Sequence, residues 1–239
     1  MEHQGKSGPG QQRGQLLENL IVRFRRRRWA HLCVVILRIL LAFAFVPAGL
    51  KKVLYQPFTD PQNTGPFHEF LHAFYATGAF YQFVGALQLT AALLLLSQRF
   101  AAAGALIFTP ILAAILVFCW STKVYPTAVA VTLMFFAAVG LLVWDIAKWR
   151  GLLWSQDGER GVRSAHQPAL VDLKLWAGCG LFVIALYLLT CLGAGEVYRP
   201  RGAEPDRAAF YVFPLMLLSG VVTLIIDEAR YRRASHGRL

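Results

Sequence analysis

Apolar and polar residues alternate along this chain in long blocks, and the block from Gly78 to Phe100 sets the pattern. Nineteen largely apolar residues run from Ala79 to Ser97, with one amide, Gln88, near their centre and Arg99 just past the end. A helix needs this length to cross ~30 Å of hydrocarbon at ~1.5 Å per residue. Similar blocks span about 30–50, 101–120, 126–147, 173–192 and 208–226, which predicts six membrane-spanning helices and an all-α polytopic fold. Between the first two blocks, Phe67, Phe70, Leu71 and Phe74 recur at i, i+3, i+4 and i+7, the pattern of a short helix lying on a membrane surface. Residues 1–18 are rich in Gly and Gln and carry too little apolar surface to fold.

Composition agrees: 56% hydrophobic and 15% charged residues with a mean hydropathy of +0.48 lie outside the soluble globular range. The net charge of +11 would suit a nucleic-acid binder, but the 24 Lys and Arg gather at the ends of the apolar blocks. Arg23 and Arg25 to Arg28, Arg99, Lys148 to Lys174, and Arg230 to Arg238 fall on one side of a six-span topology, and outweigh Lys51, Lys52, Lys123, Arg199, Arg201 and Arg207 on the other. The positive-inside rule then puts both termini in the cytoplasm. The basic charge reads as a topology signal with affinity for anionic lipid, and nucleic acid is not expected as a partner. Arg-rich residues ahead of an apolar run also resemble a signal peptide, but the first block is long for one and carries Arg38, favouring an uncleaved helix.

Arg38 is the most informative residue, because an Arg inside a span costs at least ~2.5–3.5 kcal/mol unless it snorkels or pairs. Counted from Trp29 and from Ser97, Arg38 and Gln88 lie at equal depth, so the two are expected to meet, with Asp145 a second candidate partner for Arg38. One reading is a polar ligand site inside the bundle, fit for a quinone headgroup. The other is an Arg that snorkels while Gln88 bonds a neighbouring carbonyl. Lys51, Lys52 and Trp144 have the placement of interfacial anchors.

His68, Glu69 and His72 spell H-E-x-x-H, the zinc-protease spacing, yet on a short interfacial helix and without a third ligand. No metal is expected, and His68 and His72 are weak metal candidates. Cys33, Cys119, Cys179 and Cys191 stand singly, as small apolar packing residues do. Cys119 and Cys191 fall near the same outer face, which leaves a redox pair open. Glycines at 104, 140, 178 and 180 suit close helix packing.

Several segments resemble the DoxX-like family of small bacterial membrane proteins: Arg38 opening LRILLAF, VPAGLKK at Pro47 to Lys52, GALQLTAALLLL followed by Arg99, and Val143-Trp144-Asp145. The resemblance covers about 34–150. Many members carry Glu where this chain has Gln88. The resemblance implies a four-helix membrane bundle at 29–150; around it, composition and hydropathy place a disordered basic tail at 1–28, a cytoplasmic loop at 151–171, two extra spans at 172–227 and a basic tail at 228–239. The resemblance also implies a location in the bacterial inner membrane and an accessory role in a quinone-linked oxidoreductase or respiratory assembly, beside other membrane subunits. A quinone or a bound lipid is the cofactor such a role suggests, and no catalytic residue is assigned. Two alternatives stay open: a stand-alone thiol or quinone redox protein, and a small-molecule carrier with a polar path through Gln82, Gln88 and Thr132.

Overall fold

The structure is a computed structural model that describes residues 27–145, 170–195, 197 and 211–236. Seven helices are present among them: α1 Arg28–Val53, α2 Pro66–Ala76, α3 Ala79–Leu96, α4 Ala101–Ser121, α5 Tyr125–Trp144, α6 Leu173–Ala194 and α7 Val212–His236. All but α2 are long and apolar enough to cross a membrane, and the described residues form no strand.

Helices α1, α3, α4 and α5 close into a ring. The most extensive packing is α1 on α3, followed by α4 on α5 and α3 on α4, and α5 returns to α1. On α1 the buried positions step by three and four through Val35, Arg38, Leu41, Phe45, Gly49 and Lys52, one face of a helix. Phe45 reaches across the ring to Phe108, with centroids 3.9 Å apart.

The backbones of α1 and α3 cross at close range. A Cβ placed on Gly85 would lie 2.8 Å from the Gly49 carbonyl oxygen, and one on Gly49 would lie 2.9 Å from Leu89 Cγ. Only glycine at both positions lets α1 and α3 approach this closely, as small residues do where lipid supplies no hydrophobic drive between helices. Gly104 plays the same part between α4 and α3, where an added Cβ would lie 2.8 Å from the Ala91 carbonyl oxygen, and Gly180 faces Leu96. Gly140 and Gly178, expected to pack closely, have open space where a side chain would be.

Beyond the ring, α6 and α7 pair with each other, and α6 rests on α1 and α3. Ion pairs hold this hairpin at the end where α1 begins. Arg28 bonds Asp227 at 2.9 Å and also Glu228, donates to the Leu170 carbonyl and lies over the Tyr231 ring. Asp227 accepts from the Asp172 backbone N–H, and Asp172 caps α6 by accepting from the N–H groups of Lys174 and Leu175. The start of α1, the start of α6 and the end of α7 therefore share one end of the molecule, called the basic end below.

Two expected boundaries move. Arg28 belongs to α1 and not to a disordered tail, whose residues 1–26 lie outside the described ones. The helix α7, described from Val212, runs on to His236 through the stretch expected as a basic tail, because Glu228 and Arg232 pair one turn apart and Arg28 offsets the two carboxylates. Of the loop at 151–171, only Leu170 and Val171 are described.

Candidate functional site

Two buried polar centres sit inside the ring, one near each end. At the basic end, Arg38 Nη2 donates to Asp145 Oδ2 at 2.8 Å, and Nη1 donates to Gln98 Oε1 at 3.1 Å. The three residues are 4%, 4% and 2% exposed. Each comes from a different part of the ring: Arg38 from the middle of α1, Asp145 from the C-cap of α5, and Gln98 from the short turn between α3 and α4. A buried guanidinium opposite a single carboxylate is tolerable because the pair is hydrogen-bonded as well as charged.

Gln98 is held inward by its backbone. Its φ is +57, a left-handed conformation uncommon outside glycine, and Arg99 beside it stays exposed. This turn seats the Gln98 amide against Arg38 while the chain reverses direction. Strain of this sort persists only where surrounding contacts enforce it.

Arg38 Nε and Gln98 Nε2, both buried N–H donors, have no acceptor among the described residues. An unmade hydrogen bond at a buried donor costs about 1–3 kcal/mol, more where the group is charged. An acceptor oxygen placed against these donors would remove that cost. Trp176 Nε1 on α6 is a third such donor, in a small cluster with Val35.

The second centre lies toward the opposite end. Lys52 Nζ donates to Gln88 Oε1 at 3.1 Å and to the Ala48 carbonyl at 3.2 Å, and lies 4.6 Å from the centre of the Phe58 ring. Lys52 is 7% exposed, so it is no headgroup anchor: its ammonium is folded back into the ring. Lys51 is half-buried, and Trp144, also half-buried, sets its ring edge-on to His31 at 5.1 Å.

The expected meeting of Arg38 and Gln88 does not occur, and the Gly49–Gly85 crossing explains why. Measured from that crossing at ~1.5 Å per residue, Arg38 lies ~16 Å toward the basic end and Gln88 only ~5 Å. Side chains also lean toward the N-terminus of their own helix, so on antiparallel α1 and α3 the two point apart. Arg38 leans down to Asp145 and Gln98, and Gln88 leans up to Lys52.

A folded cap covers the Lys52 end. The Tyr81 hydroxyl donates to the Gln56 carbonyl at 2.8 Å, and Phe67 and Phe70 of α2 lie on Phe118 of α4. The histidines of H-E-x-x-H serve this cap. His68 Nδ1 and the Thr59 hydroxyl are 2.6 Å apart, and His72 Nε2 donates to the Asn63 carbonyl. No cluster of three ligating side chains occurs among the described residues.

All four cysteines are free thiols. Cys119 and Cys191 are buried on α4 and α6, helices that are not principal packing partners, so the structure does not assemble the redox pair. Nor does a polar path form. Gln82 is exposed and bonds the Val53 carbonyl, Gln88 faces Lys52, and Thr132 bonds Trp120 and the Ala128 carbonyl.

The fold defines a polytopic helical membrane protein. Compared with protein families, curated proteins and solved structures, the chain matches none.

Proposed function

We propose that the chain is a quinone-contacting accessory subunit of a membrane oxidoreductase assembly, with the Arg38–Gln98–Asp145 centre as the contact point. One observation carries this reading: among the described residues, Arg38 Nε and Gln98 Nε2 are buried donors without an acceptor. A quinone carbonyl is an acceptor oxygen that travels in the lipid phase, and it needs such donors from the protein. In this reading the Arg38–Asp145 ion pair fixes the guanidinium plane, and the Gln98 turn fixes the amide beside it. The resemblance to DoxX-like proteins at Arg38 and at Val143-Trp144-Asp145 leans the same way. The positive-inside rule supports an orientation with the basic end in the cytoplasm, and the DoxX-like resemblance supports a bacterial inner membrane.

Purification of the tagged chain in mild detergent, followed by mass spectrometry of co-purifying proteins, tests the accessory role. Stoichiometric oxidoreductase subunits are expected. A chain that emerges alone, with no oxidoreductase subunit at any detergent strength, contradicts it.

A further inference from the structure

Two cavities outside the ring, apart from the Arg38 centre, share one lysine. The first, about 610 Å³, lies at the basic end between the first turn of α6 and the last turns of α7, where Asp172, Lys174, Arg230, Tyr231 and Ser235 line it. The second, about 530 Å³, is a groove running between the same two helices toward the middle of the span, lined by Leu175, Gly178, Phe182, Leu215, Leu218 and Val222. Lys174 borders both.

The first cavity carries the charged side chains of Asp172, Lys174, Asp227 and Arg230 on otherwise largely apolar walls, and the second lies within the span and is lined almost wholly by apolar surface. That is the division between a lipid headgroup and its acyl chain. From Lys174 to Phe182 the groove follows α6 for ~12 Å, long enough for much of one acyl chain. Its floor is low at Gly178, where an added Cβ would meet nothing within 4 Å.

Charge decides which headgroup. Arg28 pairs with Asp227, Arg230 with Asp172 and Arg232 with Glu228, which uses the carboxylates at the ends of α6 and α7 among the described residues. Lys174 and Arg233 are cations beyond those three pairs, and Lys174 stands at the junction of the two cavities. A cation there favours a phosphate carrying net negative charge, as anionic lipids attract basic residues at a membrane surface.

We propose that α6 and α7 form a binding site for one anionic glycerophospholipid, its phosphate on Lys174 and one acyl chain in the groove over Gly178. The site is independent of the quinone reading.

Thermal unfolding of the full chain, stripped of lipid in detergent, tests it against added phosphatidylglycerol, phosphatidylcholine and inorganic phosphate. Phosphatidylglycerol should raise the melting temperature clearly more than phosphatidylcholine, and inorganic phosphate should leave it unchanged. Lys174 is exposed, so Lys174→Glu should fold normally and lose the preference for phosphatidylglycerol. Gly178→Leu should fill the groove and shrink the response to phosphatidylglycerol. A preference undiminished in Lys174→Glu overturns the proposal, and so does an equal shift with inorganic phosphate alone, which would mean an ion site without a lipid.

Discussion

Gly85 sits against the backbone of Gly49, 2.8 Å from where its missing Cβ would be to the Gly49 carbonyl oxygen, and this contact sets the register of the whole ring. One turn further along each helix, it delivers Lys52 to Gln88. It also places Arg38 level with the turn that carries Gln98. Gly85→Leu is therefore expected to destabilise the protein by several kcal/mol or to prevent folding, and Gly85→Ala by about 1–3 kcal/mol through overpacking. Gly140→Ala, at a position with open space, serves as the control and should be neutral or slightly stabilising. Thermal unfolding in one detergent measures all three.

The Arg38–Asp145 pair predicts a pattern of non-additivity. Arg38→Leu or Asp145→Leu alone leaves a buried partner charge and should cost about 3–5 kcal/mol. The double variant removes both charges and should recover a large part of that loss. A double-mutant cycle checks this, and additive effects would mean the two side chains do not interact.

At the other centre, Lys52→Met takes the donor from Gln88 Oε1 and should cost about 1–3 kcal/mol. Gln88→Glu instead turns the hydrogen bond into an ion pair and should be tolerated. Unfolding midpoints of the two variants separate these outcomes, and an intolerant Gln88→Glu would contradict the Lys52 contact.

The α6–α7 hairpin should loosen only in acid. Burial pushes the Asp172 carboxyl up, but the N–H of Leu175, the Arg230 guanidinium and the N–H of Lys174 together outweigh it and hold the group below its ordinary value. The ionised form is thus the one favoured on folding. Its contribution is complete above the ordinary aspartate value of about 3.9 and is lost as pH falls below that toward the folded value. Wild type should exceed Asp172→Asn in stability at pH 7, and the gap should close as pH falls through that window. A gap that persists in strong acid would mean the carboxylate charge plays no part.

Much of this architecture is legible in the sequence, and the parts that are not have definable causes. The six spans follow from block length alone, because lipid admits a helix only when all its backbone groups are satisfied internally. Arg38 stands out as a charge that needs a partner, and Asp145, at the end of a span, is a visible candidate. Gln98 is not legible. It reads as an interfacial polar residue beside Arg99, and only its left-handed backbone turns it inward. The partner of Gln88 depends on the offset between α1 and α3, which the Gly49–Gly85 crossing sets and which depth counted from the span ends misses. Lys52 looks like an anchor because lysines at helix ends usually snorkel to the surface. Here the cap over that end, with Phe58 against the ammonium, makes the interior the better place for it.

On the proposed function, an acceptor oxygen from the lipid phase should close the donors of Arg38 and Gln98. Quantifying quinone in the purified protein by organic extraction, for wild type and for Gln98→Leu at matched folding, tests it most directly. Wild type should retain close to one quinone per chain, and Gln98→Leu clearly less, because losing a contact worth ~1.4 kcal/mol weakens the affinity about tenfold. Equal retention by both proteins, or none by wild type prepared from quinone-rich membranes, would contradict the account.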